Sequence, residues 1–456
     1  MGGSLLLDEC YDTQGPGFVE ALRACDDDRR LAGLADRMIK DGRPWVRSQI
    51  IAYLGQPFDR PGHHPLVKRL FKHAEKQADL DVMGLYLVGF DRAVRRQVVT
   101  RLRYDWSTRT QTESEELVLQ RKGLAPRHAG RHPQAKRVAS VRERPGAMLF
   151  SLATRLHLRR RAWRFFRRLG FQRPADYVAA VSAAAQRFTD DDLRAGHDLL
   201  ESWGLAHILF GGSDVLRFAG SWISVADGRT LAELKPAPAF APLWQTADAV
   251  PHLLGLLVGA RAKLVRTWAQ DWLRAHHPAA LSGIGLDQLR RMLDSEWEDV
   301  RLLGCELFAR HPQVATLNVQ QWLGLLGIAD PVVLAQITAA MQAHVRGSRL
   351  SHADTVAAAC HRAVPVVRMA LGFMAEKRWD GPAETEALLG LRNAACPALA
   401  GDLARFLLER LATAERYRVE HVCLALDHRL DGMRAAAMAW IEANRHVRED
   451  PQVWAR

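Results

Sequence analysis

An all-α chain of stacked helix pairs, an α-solenoid, is the fold this sequence predicts, and two observations predict it. A short pattern recurs with apolar residues at helical spacing, and its C-terminal copies are evenly stepped. Val46-Arg47 begins VRSQIIAYL, Val94-Arg95 begins VRRQVVTRL, and Val265-Arg266 begins VRTWAQDWL. Val300-Arg301, Val367-Arg368 and Met433-Arg434 begin three more. Each copy has an apolar or small residue four positions on (Ile50, Val98, Ala269, Gly304, Leu371, Ala437). Five have a large apolar residue eight positions on (Leu54, Leu102, Leu273, Phe308, Ile441), and the copy at Val367 has Ala375 there. That is one face of a helix, used repeatedly.

The step from Val265 to Val300 is 35 residues, and those from Val300 to Val367 and on to Met433 are 67 and 66. The longer two are each about twice a 33-residue repeat, with a weak intermediate copy at Asp330-Pro331-Val332-Val333. A fixed step that holds two helices is the signature of stacked helical repeats. The tetratricopeptide pattern of similar length is not met at its aromatic and alanine positions.

Ser295-Glu296-Trp297-Glu298-Asp299-Val300-Arg301 is the fullest copy. An acidic or Pro-containing turn that leads into Val-Arg resembles HEAT repeats, over residues 41–102 and about 250–445. The resemblance implies that Arg47, Arg95, Arg301 and Arg368 bond turn carbonyls and acids of the preceding repeat, a structural role. It also implies a surface that holds a partner.

Four segments follow from these patterns. Residues 1–120 are N-terminal HEAT-like helices, and 121–207 hold a basic loop and arginine-rich amphipathic helices. Residues 208–250 form a hairpin and Pro-rich insert, and 251–456 carry the C-terminal repeats. Within the insert, Val215 to Phe218 and Trp222 to Val225 flank Ala219-Gly220-Ser221 as a hairpin, and Lys235 to Pro242 alternates proline with small residues as an extended connector.

The chain carries 63 Lys and Arg against 51 Asp and Glu, a net of +12. From Asp91 to Arg173 there are 22 basic and 6 acidic residues, a net of +16, so the remainder carries −4. Basicity is a local property, and a local positive field attracts nucleic acid or an acidic protein.

Two stretches hold that charge. Residues 121–146, with three prolines and three glycines, read as a mobile basic loop. Leu152 to Leu169 reads as an amphipathic helix: at about 100° per residue Leu158, Ala162, Phe165 and Leu169 share a narrow arc. Phe166 and Trp163 flank that arc, and Arg160, Arg161, Arg164, Arg167 and Arg168 fill the opposite one. The expected polyanion-binding residues are therefore these five with Lys136, Arg137, Arg142 and Arg144 of the loop. Arginine suits phosphate through its planar fork of donors.

The leading expectation is a non-catalytic scaffold that binds nucleic acid through residues 121–168. The alternative is an adaptor that docks an acidic protein on the same stripe. A third expectation is enzymatic and rests on resemblance alone: bacterial alkylpurine DNA glycosylases use a HEAT-like solenoid with aromatic residues and an essential aspartate. Asp271 between Trp268 and Trp272, or Asp299 beside Trp297, would stand in those positions.

Other chemistries lack their residues. No glycine-rich phosphate loop with its lysine occurs, and no serine sits in a GxSxG elbow. His63-His64 and His276-His277 each stand before a proline, which reads as helix-end histidine rather than a zinc site. Thr189-Asp190-Asp191-Asp192 reads as an N-cap with dipole-matched acids that opens a helix, rather than as a metal site. No metal or cofactor is expected. Cys10, Cys25, Cys305, Cys360, Cys396 and Cys423 have no CxxC spacing and read as reduced thiols. The start MGGSLLLDECYD has no basic lead, and the longest apolar run, near Leu253 to Ala260, is too short for a bilayer. A cytoplasmic protein with no membrane partner is expected.

Overall fold

The computed structural model describes residues 2–93, 95–119, 150–194, 196–220, 222–411 and 418–455. These are helical almost throughout, broken by two small hairpins. They divide into two compact units, Met1–Ala280 and Leu281–Arg456. The basic helix and the insert belong to the first unit together with the N-terminal helices.

In the first unit the helices α1 (Gly2–Asp12), α2 (Phe18–Ala24), α3 (Asp28–Lys40), α4 (Pro44–Leu54) and α5 (His64–Gln77) precede α6 (Leu80–Ala93). The sequence of α6, LDVMGLYLVGFDRA, is apolar on every side, and nine of its residues are buried. A helix apolar all round belongs in a core. It packs against α4, α5, α7 (Leu152–Gln172), α8 (Pro174–Ala185) and α9 (Trp203–Phe210). Phe58, Phe71, Tyr86 and Phe90 knit this core through edge-on ring contacts at 5.0–6.3 Å.

After α6 the chain leaves the helical pattern. Residues Arg96–Asp105 (β1) and Thr110–Leu119 (β2) pair antiparallel, with Arg96 opposite Leu119 and Asp105 opposite Thr110. This overturns the helix expected of the repeat copy that begins at Val94, since Arg96 to Leu102 of it are strand. Gln97-Val98-Val99-Thr100-Arg101-Leu102 fits a strand's two-residue period as well as a helical face, and its β-branched residues favour the strand. A partner lies within reach across a short turn, where Arg109 takes φ 56°. In this register Glu113, Glu115 and Glu116 of β2 stand opposite Leu102, Thr100 and Val99 of β1. The expected loop at 121–146, with Lys136, Arg137, Arg142 and Arg144, lies outside the described residues.

The second hairpin forms as expected, from Leu216–Ala219 (β3) and Trp222–Val225 (β4). The Pro-rich connector that follows runs along the end of α9. Ala237 and Ala239 donate to the carbonyls of Leu209 and Ile208, and Ala237 accepts from Gly212. The connector therefore satisfies carbonyls that the helix end leaves open. Thr189 caps a single 3₁₀ turn, Asp190–Asp192, and not a full helix; its amide and hydroxyl both donate to Asp192. The same carboxylate takes two hydrogen bonds from Arg92, at 2.9 and 2.7 Å.

The first unit closes with α10 (Val250–Gly259) and α11 (Lys263–His276), which pack on each other, while α10 also packs on α8. Trp244, Trp268 and Trp272 are buried here, and each indole N–H donates to a carbonyl, of Ala239, Leu209 and Trp244. They are core, and Asp271 between the last two is exposed.

In the second unit α12 (Leu286–Leu293) packs on α13 (Glu298–Arg310), α13 on α14 (Pro331–His344) and α14 on α15 (Val364–Ala375). Farther on, α16 (Ala400–Leu411) packs on α17 (Asp431–Ala443). The recurring apolar residue is buried in every described copy: Val46, Val265, Val300, Val333, Val367 and Met433 are at most 1% exposed. Each lies in the first turn of its helix. Three of the following arginines reach back six residues: Arg266, Arg301 and Arg434 donate to the carbonyls of Ala260, Ser295 and His428. The acidic partners of Arg301 and Arg47 lie ahead in the chain, whereas Arg434 pairs with Asp431 behind it. Arg301 pairs with Asp330, the N-cap of α14, and Arg47 with Asp79 and Asp81. These arginines tie turns together: the carbonyls they reach precede them in the chain, and the acids of Arg301 and Arg47 follow.

The paired histidines, and His311 before Pro312, are also structural. His277 Nε2 donates to the Trp244 carbonyl, and His311 Nε2 to that of Ile284. His63 is fully buried between Tyr53 Oη and the Cys25 carbonyl, and it precedes α5 rather than closing a helix. No cluster of metal-ligating side chains occurs among the described residues, and none of their helices is long and apolar enough to cross a membrane. All six cysteines are free thiols.

Candidate polyanion site on the arginine helix

Helix α7 begins at a Ser151 cap, whose hydroxyl accepts from the Thr154 amide, and runs to Gln172, one turn past the end expected from its apolar arc. Leu158, Ala162, Trp163, Phe165, Phe166 and Leu169 are all buried, as the arc predicts. The arc explains how the rest of the helix is held: burial of these side chains against α6, α8 and α9 fixes the azimuth of every arginine on it.

Six of the seven arginines on the helix divide into three groups. Two point inward, and sequence reasoning missed them. Arg155 meets Asp59 at 3.4 Å and the Ala93 carbonyl at 3.3 Å. Arg159, 1% exposed, donates to the Glu201 carbonyl and lies over the rings of Trp203 and Trp222, at 5.6 and 5.3 Å. A guanidinium tolerates such a site because it is weakly hydrated and stacks on aromatic faces. Beside it Trp163 stacks on His207 at 4.9 Å, and His207 on Phe218 at 4.2 Å. Burial, with Arg167 adding, holds the His207 imidazole down to about 4, so it is neutral at physiological pH.

Asp91 of α6 completes this buried polar set. Its carboxylate accepts from the amides of Gly204, at 2.8 and 3.1 Å, and Leu205, at 3.3 Å, at the first turn of α9. Burial pushes the carboxyl up to about 7, against the pull of Arg159 and of those amides. Gly204 permits the approach, since a Cβ there would stand 2.6 Å from Leu87. The sequence signal was an aspartate that ends an apolar run, which marks a buried polar partner.

Two more arginines are clamped. Glu75 of α5 holds Arg161 at 2.6 Å and Arg168 at 3.3 Å. The third group, Arg164 and Arg167, is exposed and has no acidic partner among the described residues. Arg160 is half-buried on the flank, where its carbonyl accepts from Arg164 Nε at 3.4 Å.

These side chains surround one concavity of about 740 Å³, lined by Glu75, His157, Arg161, Arg164, Arg167, Arg168, Phe171 and Gln172. Four guanidinium groups against one carboxylate leave it strongly positive. Burial first, then Arg161, Arg164 and Arg160, hold the His157 imidazole below the usual range. Four of the five arginines expected on the helix thus come together, and Arg160 lies beside them. Phe171 was missed because it follows the last residue of the apolar arc.

No family model, curated protein or solved structure matches this chain.

Proposed function

We propose that this chain is a non-catalytic α-solenoid of HEAT-like helix pairs that binds nucleic acid on the arginine face of α7. The single observation that carries the binding reading is the concavity itself, with four arginines on one wall and two of them without an acidic partner among the described residues. Glu75 orders Arg161 and Arg168, so the entropy of holding them is met before a ligand arrives. Arg164 and Arg167 are left to engage phosphate oxygens. Arginine contacts to phosphate carry no sequence information, so binding through them is independent of sequence. The buried first-turn Val or Met of each described copy supports the repeat reading. The six thiols suit a reducing compartment such as the cytoplasm.

The full chain purified at low salt is expected to carry nucleic acid that absorbs at the nucleotide maximum. Nuclease digestion or a high-salt wash is expected to remove it. Protein that is free of nucleotide from the first step, and that does not retard an added oligonucleotide, overturns the reading. An acidic protein retained after complete nuclease digestion would point instead to the adaptor.

A further inference from the structure

The concavity on α7 has one non-polar member that a purely electrostatic site does not need. Phe171 is 70% exposed, among the most exposed large apolar side chains described. It stands four residues after Arg167 and seven after Arg164, which puts it on their face one and two turns further along. It lines the same space as those arginines.

The ring is held in place. Phe240 meets Phe171 edge-on, with centroids 4.9 Å apart and planes at 82°, and meets Tyr177 at 4.9 Å. Tyr177 is fully buried. Phe240 approaches α7 so closely that a Cβ on Gly170 would lie 2.6 Å from its ring. Its own backbone sits at φ 57°, in the left-handed region that costs a non-glycine residue energy and that recurs at ligand sites. In an edge-on pair Phe240 covers at most one face of Phe171, and the 70% exposure of the side chain leaves room at the other. An exposed, buttressed ring with an open face, beside guanidinium groups that fit phosphates, is a stacking platform.

We infer that the site takes single-stranded nucleic acid in preference to duplex, with a base stacked on Phe171 and the neighbouring phosphates on Arg164, Arg167 and Arg168. This rests on the polyanion reading given above. A duplex keeps its bases stacked inside, so it offers the arginines phosphates but offers Phe171 nothing. Every base has a π-face, so the preference is for strandedness and not for sequence.

The test compares fluorescent oligonucleotides of equal length, as single-stranded DNA, single-stranded RNA and duplex DNA, on the full chain. The variants are Phe171→Ala, Phe171→Leu and the pair Arg164→Glu with Arg167→Glu. All substituted side chains are exposed, so the fold should persist. The parent is expected to bind single strands at least several-fold more tightly than duplex. Phe171→Ala should weaken single-strand binding about tenfold and leave duplex binding unchanged. Phe171→Leu, which keeps bulk but loses the π-face, should resemble the alanine variant. If Phe171→Ala leaves single-strand affinity unchanged, or lowers single-strand and duplex affinity alike, the stacking inference fails. Should the arginine pair still weaken every ligand in that case, the polyanion reading stands. If the parent binds none of the three, both fail. Loss confined to RNA or to DNA identifies which single strand is the ligand.

Discussion

Phe308→Ala is expected to cost about 3–5 kcal/mol, the largest stability loss of any single substitution considered. Phe308 is 2% exposed on α13 and sits edge-on to the fully buried Trp322, at 5.9 Å and 87°. It belongs to one apolar cluster with Leu293, Val333, Leu334 and Ile337, which come from helices on either side of α13. Truncation leaves a cavity that side chains from three helices would have to collapse to fill, and close-packed neighbours relax only partly. Leu302→Ala on the same helix serves as the control. Leu302 is 52% exposed and should cost within about 0.5 kcal/mol. Denaturant titration of both variants checks this. A loss below about 1 kcal/mol for Phe308→Ala would mean that the seam between successive helices is not where this phase puts it.

The double reversal Arg164→Glu, Arg167→Glu is expected to weaken nucleic-acid binding by on the order of 10²–10³, since two attractive contacts become repulsive ones. The fold should not notice, because both side chains are exposed and neither holds an acid. Arg161→Glu would be a poorer test. It breaks the contact with Glu75 at 2.6 Å and sets two carboxylates together, so lost binding could not be separated from a disturbed helix pair. Affinity for single strand and duplex is read for both proteins, with circular dichroism and melting as the fold controls. A folded variant that binds as tightly as its parent reduces the stripe to a solvated face.

Much of this was legible in the chain, for reasons that differ by element. The buried Val or Met in the first turn of six helices could be read because one apolar period repeats at a steady step. The inner face of α7 was equally clear, since Leu158, Ala162, Phe165 and Leu169 leave no other phase. The hairpin of Arg96–Asp105 with Thr110–Leu119 was not, because VRRQVVTRL satisfies both periods and the deciding partner strand lies in later sequence. Arg155 and Arg159 were hidden for a different reason. Charge on a wheel diagram reads as solvent-facing, and only tertiary partners, Asp59 and the indoles of Trp203 and Trp222, make their burial possible. Glu75 was invisible as part of the site because it comes from α5, some ninety residues before the arginines it clamps. Phe171 carried a faint signal: Arg164, Arg167, Arg168 and Phe171 follow the three- and four-residue spacing of a single helical face.

The central claim is that Arg164, Arg167 and Arg168 bind by replacing the counterions of a phosphate backbone. The salt dependence of binding to a single-stranded oligonucleotide measures this directly. Each phosphate neutralised contributes a slope of about −0.7 on single strands, so three contacts give about −2 in a plot of log Kobs against log salt. The account predicts a straight line at least that steep, and a line shallower by about two thirds when Arg164 and Arg167 are reversed. A flat line for the parent, with affinity unmoved across the salt range, would contradict it.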